Sequence, residues 1–266
     1  MKSNLLKKHA KSFYWASFFL SSNTLDKCSS LYNFCRTLDD IVDDDNNLEV
    51  KKEIFSKFKK DFENKNLNNQ IIKDMWSVID NENISKQIII DLFDGVETDL
   101  KEKVVINSKK DLLVYSYRVA GTVGLMMSKI LKVKNKEALK GAIDLGIAMQ
   151  LTNIARDIIE DSEIKRVYIP KTWYKLRCSH IKNMTKEKQE ILKIATYKII
   201  ILSEKFYKSS LLGMGYLPLR SRFAILLASQ IYREIGVKII KKNYSNLYKR
   251  ESISMFGKII CLIKPQ

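Results

Sequence analysis

Two short stretches of this chain gather carboxylates at helical spacing. The first runs Arg36-Thr-Leu-Asp39-Asp40-Ile-Val-Asp43. Positions three and four apart share one face of a helix, so Asp39, Asp40 and Asp43 project together, with Arg36 and Tyr32 one and two turns earlier. Carboxylates this close repel unless a cation lies between them. A plainer reading stands beside this one, because Asp44 and Asp45 follow: an acidic helix end running into a solvated loop. The second stretch is Gln150-Leu-Thr-Asn153-Ile-Ala-Arg156-Asp157-Ile-Ile-Glu160-Asp161. Asn153, Asp157 and Asp161 recur every four residues as a polar stripe on a helix whose other residues suit burial. Oxygens on such a face are expensive unless paired or metal-bound; ordinary helix-surface polarity is the alternative.

Together the two sets say more than either does. Hard oxygen donors with no His or Cys among them suit magnesium or manganese rather than zinc. Magnesium usually completes its octahedron with water and phosphate oxygens. Two acidic walls facing each other across a helical cavity could therefore clamp a diphosphate through bridging ions. The formal charge of +17 fits an anionic substrate, and Lys11, Arg36, Arg156 and Arg250 are candidates to hold its oxygens.

The elements that must position these residues are helices. Nine Gly and three Pro in 266 residues leave little room for hairpins. Breaks are expected at Asp43–Asn47, Asn64–Asn69, Asn81–Asn83, Asn107–Lys109, Lys132–Lys136 and Tyr168–Thr185. Between them, apolar residues recur at helical spacing, most clearly over Leu112–Ile130 and Glu137–Glu163, then Lys186–Lys208 and Ser221–Lys242. The chain reads as all-α, a single-domain bundle over residues 1–266. Four cysteines without metal spacing suit a reducing cytoplasm. The start carries no signal-peptide pattern, and no apolar run is long enough to span a bilayer. The basic end Lys238-Lys241-Lys242 with Lys249-Arg250 reads as a solvated face or as a contact for anionic lipid. His9 and His180 read as structural or solvated, and the tryptophans Trp15, Trp76 and Trp173 as core or interface residues. A nucleic-acid binder is disfavoured, since no zinc-finger, RNP or helix-turn-helix signature accompanies the charge.

These residues also resemble the squalene and phytoene synthases, which join two prenyl diphosphates head to head. Lys11-Ser12-Phe13, YNFCRTLDDIVD over Tyr32–Asp43, Gly95–Leu100 and YSYRVAGTVG over Tyr115–Gly124 resemble family segments, with Val96 and Ser116 where Met and Cys are usual. QLTNIARDIIED followed by RVYIP, ending at Pro170, resembles the phytoene synthase branch more than the squalene branch. Ala228, Tyr232, Tyr244, Arg250 and Lys258 follow the family pattern more loosely.

The resemblance implies a class I isoprenoid synthase-like bundle with a central cavity. It implies metal ligands at Asp39, Asp40, Asp43, Asn153, Asp157 and Asp161, and a diphosphate site lined by Lys11, Ser12, Tyr32, Arg36, Gln150, Arg156, Tyr232 and Arg250. Tyr115 would lie near the reacting carbons, so that Asp39, Asp43, Asp157, Asp161 and Tyr115 carry the catalysis. The expected reaction is magnesium-dependent condensation of two geranylgeranyl diphosphates to phytoene through a cyclopropyl diphosphate, without NADPH. A fifteen-carbon donor giving dehydrosqualene or squalene, and a non-catalytic assembly role, are the alternatives.

Overall fold

The computed structural model describes residues 20–182, 184–254, 257, 258 and 261. Short polar residues start most helices. Asn47, Asn69 and Asn135 each turn a side-chain oxygen back onto first-turn amides, and Ser108 with Asp111 forms a reciprocal capping box. These caps open α2 (Leu48–Glu63), α3 (Gln70–Glu82), α7 (Lys136–Arg156) and α5 (Lys109–Ser116). The Asn-rich breaks read from the sequence are thus helix boundaries, and Asn83, at φ 49°, closes α3 in the left-handed region. α1 (Ser22–Asp43) precedes this group and α4 (Lys86–Glu97) follows it.

Phe34, Phe55, Phe58, Phe62, Trp76 and Phe93 fill the core among α1 to α4. Trp76 donates its indole N–H to the Phe62 carbonyl at 2.9 Å, which accounts for it as a core residue. A second core forms around α5, α7, α8 (Ile158–Glu163), α10 (Lys186–Met214) and α11 (Leu219–Lys241).

Three features depart from the expected helices. The segment expected as one helix over Leu112–Ile130 begins at Lys109 and contains a π-turn at Tyr117–Gly121 before α6 (Thr122–Ile130). The helix expected over Glu137–Glu163 breaks at Asp157, whose φ and ψ are −103° and 20°. A two-residue parallel pairing, β1 (Val104–Val105) with β2 (Arg166–Val167), also lies within the helical fold. The pairing ties the chain after α8 to the segment after α4. A short helix, α9 (Cys178–Lys182), interrupts the loop that follows.

Candidate active site

The polar site is built where α1 ends opposite the α7–α8 break. Asp39 and Asp43 come from α1, Gln150, Asn153 and Arg156 from α7, and Asp157 and Asp161 from the break and the turn after it. They line one cleft of about 230 Å³. Three residues not singled out as site candidates from the sequence, Asp99, Arg166 and Tyr168, line it as well. Asp99 sits on a 3₁₀ turn after α4, and the β1–β2 pairing brings Arg166 beside it. The segments GVETDL and RVYIP hold these residues, but a turn and a two-residue strand leave no periodic signature.

Three of the five carboxyls that line the cleft, Asp43, Asp99 and Asp157, are hydrogen-bonded within it. Arg166 donates to Asp43 at 2.7 Å and to the Val42 carbonyl at 2.9 Å. Arg156 forms a two-pronged pair with Asp157 at 2.7 and 2.5 Å, and Arg250 reaches the same carboxylate at 3.0 Å. Tyr115 and Tyr168 stack with ring centroids 4.8 Å apart. Both hydroxyls donate to Asp99, at 2.9 and 2.7 Å. Burial, followed by the charge of Asp99, pushes both phenols well above their ordinary range, so they remain proton donors at neutral pH.

Two carboxyls carry the opposite imbalance. Asp39 opens to the solvent of the cleft, yet the protein around it displaces enough water, with Asp43 adding repulsion, to push it up to about 7. Asp161 is pushed up to about 8, first by burial and then by Asp157. Asn153 Oδ1 is buried with no hydrogen-bond partner, and it faces this same acidic wall. An orphaned amide oxygen beside carboxyls that resist ionising is a donor set that a hard divalent cation fits. Among the described residues, no group of three His, Cys, Asp or Glu side chains could hold an ion by itself. A cation here would therefore draw on other oxygens as well.

Not every residue named from the sequence meets in the cleft. Asp40 is exposed and paired with Arg36, and it does not line this cleft as Asp39 and Asp43 do. Tyr32 and Arg36 lie one step out, within electrostatic reach of Asp39. Arg250 touches the cleft only through Asp157. Lys11 and Ser12 lie outside the described residues.

Beside the cleft runs an apolar tunnel of about 220 Å³. Val119, Ala120, Val123, Gly124 and Met127 form one wall, Gly146, Met149, Ile225 and Ala228 the other, and Tyr232 also lines it. Gln150 and Asn153 line both spaces, so an anionic head group in the cleft could extend an apolar tail into the tunnel.

A helical bundle with a greasy interior capped by facing carboxylates is the architecture of isoprenoid synthases. The fold superposes on a dehydrosqualene synthase crystallised with a ligand at a TM-score of 0.83 and 29% identity, covering 98% of this chain and 93% of that one. It also matches the fold of squalene synthase HpnC from Alicyclobacillus acidocaldarius, at a TM-score of 0.78 and 17% identity over 91% and 93% of the two chains. Residues 6–256 match the squalene/phytoene synthase family, and the chain belongs to it. Among its relatives, the 15-cis-phytoene synthase of Pantoea ananas is 30% identical over 96% of this chain and 86% of its own length. That of Enterobacter agglomerans is 40% identical over 58% of this chain, a match spanning about half of that relative.

Proposed function

We propose that this protein is a phytoene synthase, with residues 1–266 acting as one domain, that condenses two geranylgeranyl diphosphates head to head. The observation that carries the reading is the shared wall at Gln150 and Asn153, where an acidic cleft meets an apolar tunnel. The relatives named phytoene synthase, matched over nearly the whole chain, support the product.

On this reading Asp39, Asp43, Asn153, Asp157 and Asp161 hold magnesium or manganese, which supplies Lewis-acid stabilisation of the departing diphosphate. Arg156, Arg166 and Arg250 exchange their carboxylate partners for diphosphate oxygens and fix the head group. Charge builds on those oxygens as the carbon skeleton becomes a cation, so cationic groups held in place lower the barrier. Val119, Val123, Met127 and Met149 keep water from the cation. Attack by the second substrate's double bond, with loss of a proton, gives the cyclopropyl diphosphate. Its ionisation and rearrangement end in a second proton loss rather than hydride delivery. The proton leaves to released diphosphate or to the Tyr115 hydroxyl, whose own proton is directed at Asp99. The protein works in the cytoplasm and needs neither a nucleic acid nor NADPH.

A second reading, dehydrosqualene formation from a fifteen-carbon donor, is favoured by the likeness to a dehydrosqualene synthase structure. Incubation of purified protein and magnesium with each donor, with and without NADPH, separates the two by chromatography of the extracted hydrocarbon. Phytoene from geranylgeranyl diphosphate, unchanged by NADPH, is expected. A fifteen-carbon preference or strict NADPH dependence overturns the assignment, and no hydrocarbon from either donor overturns the enzyme class.

A further inference from the structure

The turn joining α10 to α11 presents large apolar side chains to solvent. Leu212 is 68% exposed, Tyr216 54% and Leu219 77%. The same eight residues also face inward, since Gly213, Met214 and Leu217 line the apolar tunnel. The turn is therefore a thin wall with oil on one side and exposed apolar groups on the other. Gly215 at its apex takes an ordinary helical conformation, and a β-carbon added there would meet nothing within 4 Å, so that side of the tip is open.

The flanks of this tip are mainly basic. Lys205, Lys208 and Arg220 lie within about two turns of it along the chain. The start of α7 packs against it through Gly141, whose missing β-carbon would meet the Ser210 carbonyl at 2.9 Å. That packing adds Lys134, Lys136 and Lys140 to the neighbourhood, all exposed, while Glu137 and Asp144, which accepts from Ser209 Oγ at 2.6 Å, are acidic. None of these six cations makes an ion pair among the described residues.

The basic helix end read from the sequence is partly committed elsewhere. Lys238 and Lys242 of α11 pair with the buried Glu251, at 2.8 and 3.5 Å, and Arg250 with Asp157. Three of the five cations read as a lipid contact at that helix end thus have acidic partners, while Lys241 and Lys249 form no ion pair among the described residues.

We propose that the α10–α11 turn docks on an anionic bilayer, with Leu212, Tyr216 and Leu219 in the headgroup–acyl boundary and the flanking cations on lipid phosphates. An apolar tip ringed by basic residues is the composition that binds such an interface. A second copy of the chain is disfavoured as occupant, because tip-to-tip contact sets cation against cation. Residues 1–19 are disfavoured for the same reason, having Lys2, Lys7, Lys8 and Lys11 and no Asp or Glu. The consequence that prenyl chains cross the thin wall to lipid rests on the proposed function; the docking does not.

The test is co-sedimentation of the full chain, without substrate, with vesicles of phosphatidylcholine alone or mixed with phosphatidylglycerol. The wild type is expected to bind the mixed vesicles and to lose most of that binding in phosphatidylcholine alone or in high salt. Leu212→Ser/Tyr216→Ser/Leu219→Ser and, separately, Lys208→Gln/Arg220→Gln should each lower partitioning at least about tenfold, a difference of about 1.4 kcal/mol. Both variants should keep their helicity and their turnover on detergent-dispersed donor. A wild type that ignores mixed vesicles, or a triple variant that binds like it, overturns the proposal. So does a wild-type dimer in sedimentation velocity that the triple variant abolishes, which would assign the tip to a second copy. Since the binding assay contains no donor, a wrong product assignment leaves its outcome unchanged.

Discussion

Asp39 and Asp40 are adjacent in the chain and chemically identical, yet they meet different surroundings. Asp39 lines the cleft with Asp43, Asp157 and Asp161. Asp40 is exposed and engaged with Arg36 one turn back. Exposed pairs of this kind contribute about 0–1 kcal/mol, whereas a group that shapes the field around a developing charge is worth about 10²–10³ in rate. Asp39→Asn and Asp157→Asn are therefore expected to lower turnover by about 10²–10³ with circular dichroism unchanged. The melting temperature should stay near wild type for Asp39→Asn and fall for Asp157→Asn, which removes the counter-ion of Arg156. Asp40→Asn should stay within about fivefold of wild type, the rate equivalent of a weak surface pair. Equal losses at all three positions would return Asp40 to the site.

At the scale of elements, the tunnel exists because two helices approach almost backbone to backbone. A β-carbon at Gly124 of α6 would fall on the Ala142 carbonyl of α7, and one at Gly146 of α7 on the Ala120 carbonyl in the π-turn. Both glycines also line the tunnel, so they set the distance between its walls. The π-turn adds a residue to the helical register where Val119 and Ala120 must face the tunnel, a usual place for such turns. Gly146→Ala is expected to cost about 1–3 kcal/mol through overpacking, seen as a fall of several degrees in melting temperature. Turnover should fall with it as the walls part. Gly215→Ala is the control, since a β-carbon there meets nothing, and its stability should stay within about 0.5 kcal/mol of wild type. Equal destabilisation by the two changes would refute the close-approach argument.

For the molecule as a whole, the cleft makes stability depend on pH and on divalent cation together. The folded-state values of Asp39 and Asp161, about 7 and about 8, lie above the 3.8 of a free carboxyl. The native state thus holds protons that the unfolded chain has released, and stability falls as pH rises from about 4 to about 8. A cation held by the same oxygens takes the place of those protons. In chelator, the melting temperature should drop between pH 5.5 and 8.5, and magnesium should raise it more at pH 8.5 than at 5.5, read by scanning fluorimetry. Asp161→Asn should flatten both dependences, because the amide cannot ionise. A magnesium-induced shift of the same size at both pH values would contradict this linkage.

Much of the molecule is legible in the sequence because the signals are local. Helical spacing of apolar residues, Asn and Ser caps and scarce glycine settle the all-α class and most boundaries, since each depends on neighbours three or four residues away. The two acidic sets are legible for the same reason. What needed the tertiary structure joins distant segments. Asp99, Arg166 and Tyr168 come together only when the β1–β2 pairing sets residues 104–105 beside 166–167. The break at Asp157, where Arg156 and Arg250 converge on its carboxylate, turns an apparently continuous polar stripe into a helix end. Whether Asp39 or Asp40 faces the cavity depends on a rotation of α1 set by its packing against Phe58, Phe62 and Phe93. Spacing along one helix says which residues share a face; only packing against other helices says which part of that face is lined, paired or wet.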